Sequence, residues 1–369
     1  MVKVLHIGLS SNYGGLETVV RNWWNIIKHD RKVGFDFLCN IEKDMAFSED
    51  YISEGCHVHR ITPRKRNSFH SYSDIVRILK EYDYDIIHFH MMSYAWFEPI
   101  IAAYKYSKAK IILHSHIVNN ANNLVKKDYC LNLFGQTIIK FRNIPFYRLA
   151  CGKDAGTAMF GNGDFFIIEN GIDIDRFSFS EANRIEQRNL YGISDEEIVI
   201  GHVGNFSVNK NYPYLIDTFY ELQKLNSKVK LLLIGDDQIA PCIHERVNQL
   251  GINDKVIFTG MVKDTFKYYS AMDIFFFPSI REGLPVSLIE AQISGLSCIV
   301  SNAVTNECKI TNSYYSFSLD DNPEKTAGQI SELINTDHSR NIDIVDSAYD
   351  IRNAARKLLD YYGTILKEG

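Results

Sequence analysis

A buried strand runs directly into an apolar helix within residues 273–295, which read DIFFFPSIREGLPVSLIEAQISG. Four consecutive large apolar residues follow Asp273, and such runs are typical of strands that are covered on both faces in parallel sheets. Gly283 permits a turn after the strand, and Pro285 suits a first helical position, where its missing N–H is not needed. The stretch therefore predicts one strand–turn–helix unit of a parallel α/β sheet.

The rest of the chain repeats this alternation of short apolar runs and amphipathic helical stretches. Strands are predicted in the first half at Val2–Leu9, Val33–Leu38, Asp85–Phe89, Lys110–Leu113 and Arg148–Cys151. The second half adds Ile198–Val203, Lys230–Ile234, Val256–Phe258, Asp273–Phe277 and Ser297–Val300. The helices predicted between the first strands are Leu16–Lys28, Ser73–Glu81 and Ala95–Tyr106. This order predicts helix-covered parallel sheets in doubly wound domains.

The length of 369 residues favours two domains over one. A polar stretch without periodic signal lies between Gly171 and Glu197, and we place the boundary there. The predicted domains are residues 1–177 and 178–346. A long C-terminal helix, predicted within residues 347–369, could cross back to the first domain.

Composition bounds the class of protein. A hydrophobic content of 46% with 23% charged residues is ordinary for a folded soluble protein, and no apolar run reaches the roughly 20 residues of a membrane span. The first residues enter a strand and do not resemble a signal peptide. Seven cysteines without a C-x-x-C pair indicate free thiols and no zinc site. We therefore expect a cytoplasmic protein.

Charge is unevenly distributed along the chain. The net charge of −5 argues against a nucleic acid partner. Residues 1–177 contain 22 Lys and Arg against 19 Asp and Glu, a balance of +3, and the remaining residues balance at −8. The basic surplus is clustered at Arg60, Arg64, Lys65 and Arg66, and again at Lys126, Lys127, Lys140, Arg142 and Arg148. Two interpretations stay open: a solvated surface, or attraction to an anionic membrane face or a lipid diphosphate.

Two glycine-containing turns follow strands, where open α/β sheets bind ligands. Gly14 and Gly15, in the turn after the first strand, permit close approach of a ligand to the backbone. That turn does not match the G-x-G-x-x-G dinucleotide fingerprint, which argues against a dehydrogenase. In residues 201–211, Lys210 precedes a helix and could meet a diphosphate, or be solvated.

Two carboxylates mark the turn and helix of residues 277–295. Glu282 lies at the mouth of the helix, and Glu290 lies inside it among apolar residues. An embedded carboxylate is costly unless it is paired or hydrogen-bonded. Glu290 could thus form a structural salt bridge, or accept hydrogen bonds from vicinal sugar hydroxyls.

The spacing of Glu282 and Glu290, within PSIREGLPVSLIEA, resembles the signature of the retaining glycosyltransferases of family 4. Further segments are similar to that family's motifs: GGLE at 14–17, ENGIDIDRF at 169–177, LLIGDD at 232–237 and FTGMVKD at 258–264. The resemblance covers nearly the whole chain and is nearest to the bacterial capsular or exopolysaccharide type.

The resemblance implies a GT-B fold, with two Rossmann-like domains facing across a cleft. It implies transfer of a hexosyl unit, with retention, from a nucleoside diphosphate sugar. A UDP-sugar is favoured and a GDP-sugar stays open. The acceptor would be a saccharide or an undecaprenyl-diphosphate-type lipid-linked saccharide, which allows a peripheral position at the inner face of the cell membrane.

The resemblance also assigns roles to individual residues. Glu290 would bind the donor ribose, and Glu282 the transferred sugar. The diphosphate would be held by Lys210 and by the backbone N–H groups of Gly283 and Leu284. The remaining residues would line the base pocket (Met261, Val262), reach the sugar from the first domain (His116) and approach the diphosphate across the cleft (Gly14, Gly15).

One departure from the family pattern concerns the diphosphate. Asn205 stands where the family usually has an arginine, and Arg281 could compensate in part. The departure leaves open a non-catalytic partner subunit of a glycosyltransferase, and a sugar-nucleotide epimerase is the other alternative. Asp173 and Asp175 have D-x-D spacing but fall in the inter-domain segment, so we expect no metal and no other cofactor.

Overall fold

Parallel strands alternate with helices along the chain and form two separate sheets. The structure, a computed structural model, describes residues 1–30, 32–116, 126–236, 241–282, 284–335, 340 and 347–368. The chain divides into unit 1, Met1–Gly171 with Ala348–Gly369, and unit 2, Ile172–Ser347. Each unit is doubly wound, with its own parallel sheet between helices, as the sequence predicted.

Unit 1 contains a seven-stranded sheet in the order β3-β2-β1-β4-β5-β6-β7. Its strands are β1 (Val2–Ile7), β2 (Val33–Cys39), β3 (Val58–Arg60), β4 (Ile86–Met91), β5 (Lys110–Ser115), β6 (Tyr147–Ala150) and β7 (Phe166–Ile167). Its helices are α1 (Gly15–Ile27), α2 (Ser48–Ser53), α3 (Ser68–Glu81), α4 (Glu98–Tyr106), α5 (Lys126–Phe141), α6 (Lys153–Phe160) and α14 (Ile351–Lys367).

Unit 2 contains a six-stranded sheet in the order β10-β9-β8-β11-β12-β13. Its strands are β8 (Ile198–Val203), β9 (Val229–Ile234), β10 (Val256–Phe258), β11 (Ile274–Phe277), β12 (Ser297–Ser301) and β13 (Tyr314–Phe317). Its helices are α7 (Ile174–Phe177), α8 (Glu181–Leu190), α9 (Tyr212–Leu225), α10 (Pro241–Leu250), α11 (Thr265–Ala271), α12 (Val286–Ile293) and α13 (Pro323–Ile334).

All ten predicted strands are present, and the three that were not predicted lie at sheet edges. These are β3, β7 and β13, which have only two to four residues each and so carry little periodic signal. The first domain boundary also differs from the prediction: unit 2 begins at Ile172, before α7, because α7 packs against α11 and α12.

Chain order reverses once in each sheet. In unit 1 the reversal falls between β1 and β4, and in unit 2 between β8 and β11. Adjacent strands that lead outward in opposite directions leave a crevice at their carboxyl ends, which is where open α/β sheets bind ligands. Each unit therefore offers one such position, and both contain residues predicted from the sequence.

The C-terminal helix α14 belongs to unit 1. It packs against α1, and its Lys357 forms an ion pair of 2.9 Å with Glu169. Tyr362 of this helix is fully buried and hydrogen-bonds His88 of β4 over 2.7 Å. Within the described residues, no helix combines the length and apolar character that crossing a bilayer requires.

Candidate active site

Lys210 and Glu282 meet at the carboxyl ends of β8 and β11. The Lys210 Nζ lies 2.9 Å from Glu282 Oε1 and 4.5 Å from the centre of the Phe277 ring. The two charged side chains are only 12% and 15% exposed, so Lys210 is not the solvated surface lysine that its loop also allowed. The structure thus joins two of the three predicted catalytic residues.

Close backbone packing holds the loop that carries Lys210. Gly235 has a φ of +156°, and a Cβ there would lie 2.0 Å from the carbonyl oxygen of Gly204. A Cβ at Gly204 would in turn lie 2.9 Å from Lys210 Cε. The loop is also tied to the one after β11, because Ile280 donates its backbone N–H to the oxygen of Asn209 over 2.7 Å. Glycine at 204 and 235 therefore lets Lys210 reach Glu282.

Glu290 is buried in the middle of α12, with 6% of its surface exposed. The hydroxyl of Tyr269 donates to Glu290 Oε2 over 2.8 Å. Burial raises the pKa of Glu290 to about 7, against the opposing effects of Tyr269 and of Arg176. Among the described residues Glu290 forms no ion pair, and its hydrogen-bond partner is the hydroxyl of Tyr269. A buried carboxyl with one hydroxyl donor retains acceptor capacity for a ligand.

The other predicted donor-binding residues of unit 2 follow strands of the same parallel sheet. Met261 is 63% exposed and Val262 is half-buried in the turn after β10. Asn205 is exposed after β8, while Arg281 is half-buried and Leu284 is buried after β11. Gly283 lies outside the described residues. All these turns are at the carboxyl edge of the sheet because its strands are parallel.

One local prediction on α12 was wrong. The helix begins at Val286, and Pro285 is the extended residue before it, with ψ at 104°. The helix therefore begins one residue later than predicted. Glu290 is the fifth residue of the helix and lies in its second turn.

Gly14 and Gly15 lie in unit 1, at the start of α1. Gly14 is the extended residue before the helix, and a Cβ there would lie 2.9 Å from Glu17 Oε2. Glu17 is buried, and its Oε1 accepts hydrogen bonds from the backbone N–H and the hydroxyl of Ser10, over 2.9 and 2.7 Å. Glu17 is not among the predicted site residues, yet its carboxylate fixes the turn that presents both glycines.

His116 follows β5 directly and ends a group of five histidines in unit 1. The other four, His6, His88, His90 and His114, are buried on three adjacent strands. Burial lowers the pKa of all four, and it lowers the pKa of His116 to about 3. All five rings are therefore neutral near pH 7.

The histidines form two hydrogen-bonded rows. In the first row, His6 Nδ1 lies 2.9 Å from His90 Nε2, and His90 Nδ1 lies 2.9 Å from His116 Nε2. In the second row, His88 Nε2 lies 3.0 Å from His114 Nδ1, and the Tyr362 hydroxyl completes the row. We name these the outer row (His6, His90, His116) and the inner row (Tyr362, His88, His114).

Two triads of these histidines, His6–His88–His90 and His90–His114–His116, bring their ring nitrogens within 4.8 Å of one another, which raises the question of a shared metal ion. Zinc bonds of 2.0–2.1 Å in tetrahedral geometry separate ligand atoms by about 3.3 Å. The bonded pairs are 2.9 and 3.0 Å apart, which is a hydrogen-bond distance. The geometry therefore favours hydrogen bonds over a shared ion.

Of these five histidines, His116 alone was predicted from the sequence as a site residue. The signal was present, since HFH at 88–90 and HSH at 114–116 place histidines at alternate positions of two strands. Alternate residues of a strand share one face of the sheet. Their meeting depends on register, and β4 and β5 pair His90 with His114.

Comparison with known proteins agrees with this architecture. A family model of glycosyl transferases group 1 matches residues 183–357, and a model of glycosyl transferase 4-like domains matches residues 6–141. The chain is a glycosyltransferase with a group 1 domain and a 4-like domain, and the predicted resemblance to family 4 is confirmed. The group 1 match covers β8 to β13 with Lys210, Glu282 and Glu290, and the 4-like match covers the end of β1, β2 to β5 and the five histidines of the two rows.

Sequence similarity to known proteins extends over most of this glycosyltransferase. The putative glycosyltransferase EpsF of Bacillus subtilis is 29% identical over 313 residues, which are 83% of this chain and 80% of EpsF. The capsular polysaccharide biosynthesis glycosyltransferase CapH of Staphylococcus aureus is 24% identical over 379 residues, 98% of this chain and 99% of CapH. The predicted capsular or exopolysaccharide type of the family is thereby confirmed.

A solved structure supports the fold of the glycosyltransferase. The crystal structure of Anabaena HepE in complex with UDP and glucose has a TM-score of 0.80 to this chain, with 17% sequence identity. The match covers 99% of this chain and 100% of HepE. At this identity the likeness concerns the fold, and the predicted GT-B class is confirmed.

Proposed function

We propose that this glycosyltransferase moves a hexosyl unit, with retention, from a UDP-sugar to a saccharide or lipid-linked saccharide in surface polysaccharide synthesis. The observation that carries the proposal is the Lys210–Glu282 pair at the crevice between β8 and β11. A lysine at that point is suited to the leaving diphosphate, and the adjacent carboxylate to hydroxyls of the sugar.

Each end of the donor has a matching group in unit 2. Glu290 would accept hydrogen bonds from the ribose hydroxyls, because its carboxyl is buried and has a single described donor, Tyr269. Glu282 pairs with Lys210 through Oε1 and keeps 15% of its side chain exposed, so its carboxylate could accept a hydrogen bond from the transferred sugar. Lys210 would stabilise the charge that develops on the diphosphate as the glycosidic bond breaks.

Support for the donor and the pathway comes from relatives. HepE was crystallised with UDP and glucose, and CapH is named for capsular polysaccharide biosynthesis. Both proteins match almost the whole length of this chain. We therefore favour a UDP-hexose over a GDP-hexose.

Nucleotide affinity should depend on Glu290 and on pH. We expect Glu290→Ala to weaken UDP binding about tenfold or more, since hydrogen bonds to a charged group contribute about 1.5–3 kcal/mol. With a carboxyl pKa of about 7, the ionised acceptor is a minority form at pH 6 and the majority at pH 8. Wild-type affinity should thus rise about tenfold between these pH values. Titration calorimetry with UDP measures both effects.

Glu290→Gln is the matched control, because it keeps the shape and an acceptor oxygen but cannot ionise. Its UDP affinity should change with pH only as the nucleotide's own phosphate does. Unchanged affinity in a folded Glu290→Ala protein would remove the ribose assignment. An equal pH dependence in wild type and Glu290→Gln would show that the carboxyl does not titrate in this range.

A cavity in unit 1 is the candidate acceptor site. It has a volume of about 230 Å³ and lies at the carboxyl ends of β1 and β4. Its lining combines Asn40, Arg64 and His90 with the aromatic side chain of Trp96. Arg64 is held there by an ion pair of 2.8 Å with Glu98 and donates to the oxygen of Ala95 over 2.9 Å. Polar groups with an aromatic wall suit a saccharide.

Helix α5 supports a peripheral membrane position. Four large apolar side chains of this helix are exposed: Tyr129 and Leu133, about one turn apart, by 36% and 43%, and Phe134 and Phe141, two turns apart, by 56% and 89%. Lys140 and Arg142 flank Phe141 and are exposed. The side chains of Lys126 and Lys127 lie outside the described residues. Exposed apolar groups beside basic ones are typical of interfacial helices.

We expect salt-sensitive binding to anionic vesicles. Each basic residue near such a surface contributes about 1 kcal/mol, so Lys140→Glu with Arg142→Glu should lower vesicle affinity more than tenfold. Lys65→Glu with Arg66→Glu should act likewise, whereas Arg64 is left intact because it lines the cavity. Sedimentation with anionic and neutral vesicles, at low and high salt, measures the binding.

The matched control for the vesicle experiment is Lys224→Glu with Lys228→Glu, which reverses two exposed cations of unit 2. It should leave vesicle binding unchanged. Equal binding to neutral and anionic vesicles, or binding to neither, would refute the membrane interpretation and show that the basic clusters are ordinary solvated surface. A soluble saccharide would then be the favoured acceptor.

Product analysis separates the proposed reaction from its alternatives. Incubation with a UDP-hexose should release UDP only when a saccharide or lipid-linked acceptor is added. Release or isomerisation without acceptor would favour an epimerase. No turnover despite donor binding would favour a non-catalytic partner subunit, which the exposed Asn205 at the family's arginine position permits.

A further inference from the structure

The outer row runs across three adjacent strands of the unit 1 sheet. His6 lies on β1, His90 on β4, and His116 directly after β5. The rings around the row are aromatic or neutral: His6 is 4.2 Å from Phe35 and 5.6 Å from Phe37, and Trp23 stacks 6.5 Å from His90. His88 and His114 of the inner row lie 4.5 and 5.9 Å from His90, measured between ring centres.

A row of three neutral imidazoles has two self-consistent arrangements of its protons. Each ring has one N–H donor and one acceptor nitrogen, so each hydrogen bond fixes the tautomer of the next ring. In one arrangement every ring is protonated at Nδ1, and donation runs from His6 through His90 to His116. In the other, every ring is protonated at Nε2 and donation runs in reverse.

The surroundings of His6, at the buried end of the outer row, decide between the two arrangements. His6 is fully buried, and its Nε2 has no hydrogen-bond partner among the described residues. Protonation at Nε2 would bury an orphaned N–H, whereas protonation at Nδ1 leaves only an unused lone pair there. Orphaned buried N–H groups are the rarer defect in proteins. The Nδ1-protonated arrangement is therefore favoured.

Within the part of the chain that the structure describes, the outer end of the row, at His116 Nδ1, has no hydrogen-bond partner. His116 is partly exposed, and no described residue hydrogen-bonds its Nδ1. In the favoured arrangement this nitrogen carries the proton and is a donor. It would therefore meet an oxygen lone pair, such as that of a sugar hydroxyl, and could not accept a proton from one.

We propose that His6 and His90 are positioning residues that hold His116 as an Nδ1–H donor to a hydroxyl oxygen of the bound sugar. The role in sugar transfer rests on the proposed function, whereas the tautomers do not. His116 orients the hydroxyl and takes no part in proton transfer. The inner row lies beside the outer row but ends on Tyr362, and among the described residues no hydrogen bond joins the two rows.

Nitrogen NMR on ¹⁵N-histidine-labelled protein tests the arrangement directly, because protonated and unprotonated ring nitrogens resonate far apart. We expect Nδ1–H tautomers for His6, His90 and His116 at pH 7.5 in the wild-type protein. Assignment uses one His→Phe variant per ring. An Nε2–H or doubly protonated His116 would overturn the proposal. So would tight binding of added Zn²⁺ that shifts these resonances, because the row would then be a metal site.

Variants at His6 test the consequence for transfer. His6→Phe removes the N–H that donates to His90, so we expect mixed tautomers at His116. We also expect kcat to fall about tenfold, which corresponds to the loss of one hydrogen bond, and KM for the UDP-hexose to change little. His6→Asn replaces the Nδ1–H with an amide N–H and should restore both readouts. His88→Phe, an equally buried change in the inner row, should leave the His116 tautomer unchanged.

The outcomes separate this proposal from the proposed function. Fixed Nδ1–H tautomers in a protein that transfers no sugar would refute the transfer reaction and leave the row intact. Normal kcat in a folded His6→Phe protein would refute the positioning role and leave the transferase intact. If His6→Phe does not fold, the wild-type spectrum and His6→Asn still decide.

Discussion

Replacing Lys210 with alanine should lower the rate of sugar transfer about a hundredfold or more. The lysine is the single described cation that pairs with Glu282 at the β8–β11 crevice. Loss of one preorganised group facing a developing anion costs about 2.7–4 kcal/mol in other enzymes. Initial rates with saturating UDP-hexose and acceptor measure the effect, which should appear in kcat.

Stability must be measured alongside the rate. A lysine in a surface loop would cost under about 0.5 kcal/mol, but Lys210 is 12% exposed and its loss leaves Glu282 without its ion-pair partner. We therefore expect a cost of about 1–3 kcal/mol in the free energy of unfolding. Urea denaturation provides this value and shows whether the variant is folded in the rate assay.

Lys228→Ala is the matched control for Lys210→Ala. Lys228 also pairs with a glutamate of unit 2, Glu196, but it precedes β9 and so lies at the opposite edge of the sheet. It should leave the rate unchanged. A near-normal rate in Lys210→Ala would mean that another group holds the diphosphate, and Arg281, beside Glu282, would be the next residue to replace.

Mild acid should unfold unit 1 before unit 2. Four fully buried histidines of unit 1, His6, His88, His90 and His114, have their pKa lowered by burial. In the unfolded chain each has a pKa near 6.5 and binds a proton below it. The unfolded state thus takes up more protons, so stability is full above pH 6.5 and is lost as the pH falls toward the folded pKa values.

The size of the acid effect follows from the number of histidines. Each costs about 1.4 kcal/mol per pH unit below 6.5, so the four together cost about 5–6 kcal/mol at pH 5.5. His116, whose pKa is lowered to about 3, adds about 1.4 kcal/mol to the loss in unit 1. Unit 2 has one fully buried described histidine, His202, whose pKa is lowered to about 3 mainly by burial and then by Lys210. It should lose only about 1.4 kcal/mol over the same range.

Tryptophan fluorescence can report on unit 1 alone, because the three tryptophans of the chain, Trp23, Trp24 and Trp96, all lie there. Urea unfolding at pH 7.5 and 5.5 should show a large drop in the midpoint by fluorescence. Hydrogen exchange of β8 to β12 should show a small change for unit 2. Equal losses in both units would mean that the histidine rows are not the cause.

The strands and the donor residues could be predicted because their signals are local. The run before Pro278 and the apolar runs at the other central strands mark β-structure residue by residue. Lys210 and Glu282 were placed at the diphosphate and the sugar through resemblance. Their direct pairing could not be predicted, because it depends on the close approach of Gly204 and Gly235 in neighbouring loops.

The histidine rows could not be predicted because they depend on the register of three strands. His6 lies opposite His88, and His90 opposite His114, only when β1, β4 and β5 pair as observed. A shift of one residue would send alternate side chains to the other face and separate the rings. The partner of Glu290 was missed for a similar reason, since Tyr269 comes from α11, outside the helix that carries the carboxylate.

The return of α14 to unit 1 sets an order for folding during synthesis. Unit 2 is one continuous segment, Ile172–Ser347, and its last strand and helix leave the ribosome before α14 does. Unit 1 then still lacks the helix that covers α1 and the Tyr362 hydroxyl that partners His88. Unit 2 is thus the first unit whose chain is complete. Until α14 is synthesised, nascent unit 1 exposes an apolar face that chaperones can bind.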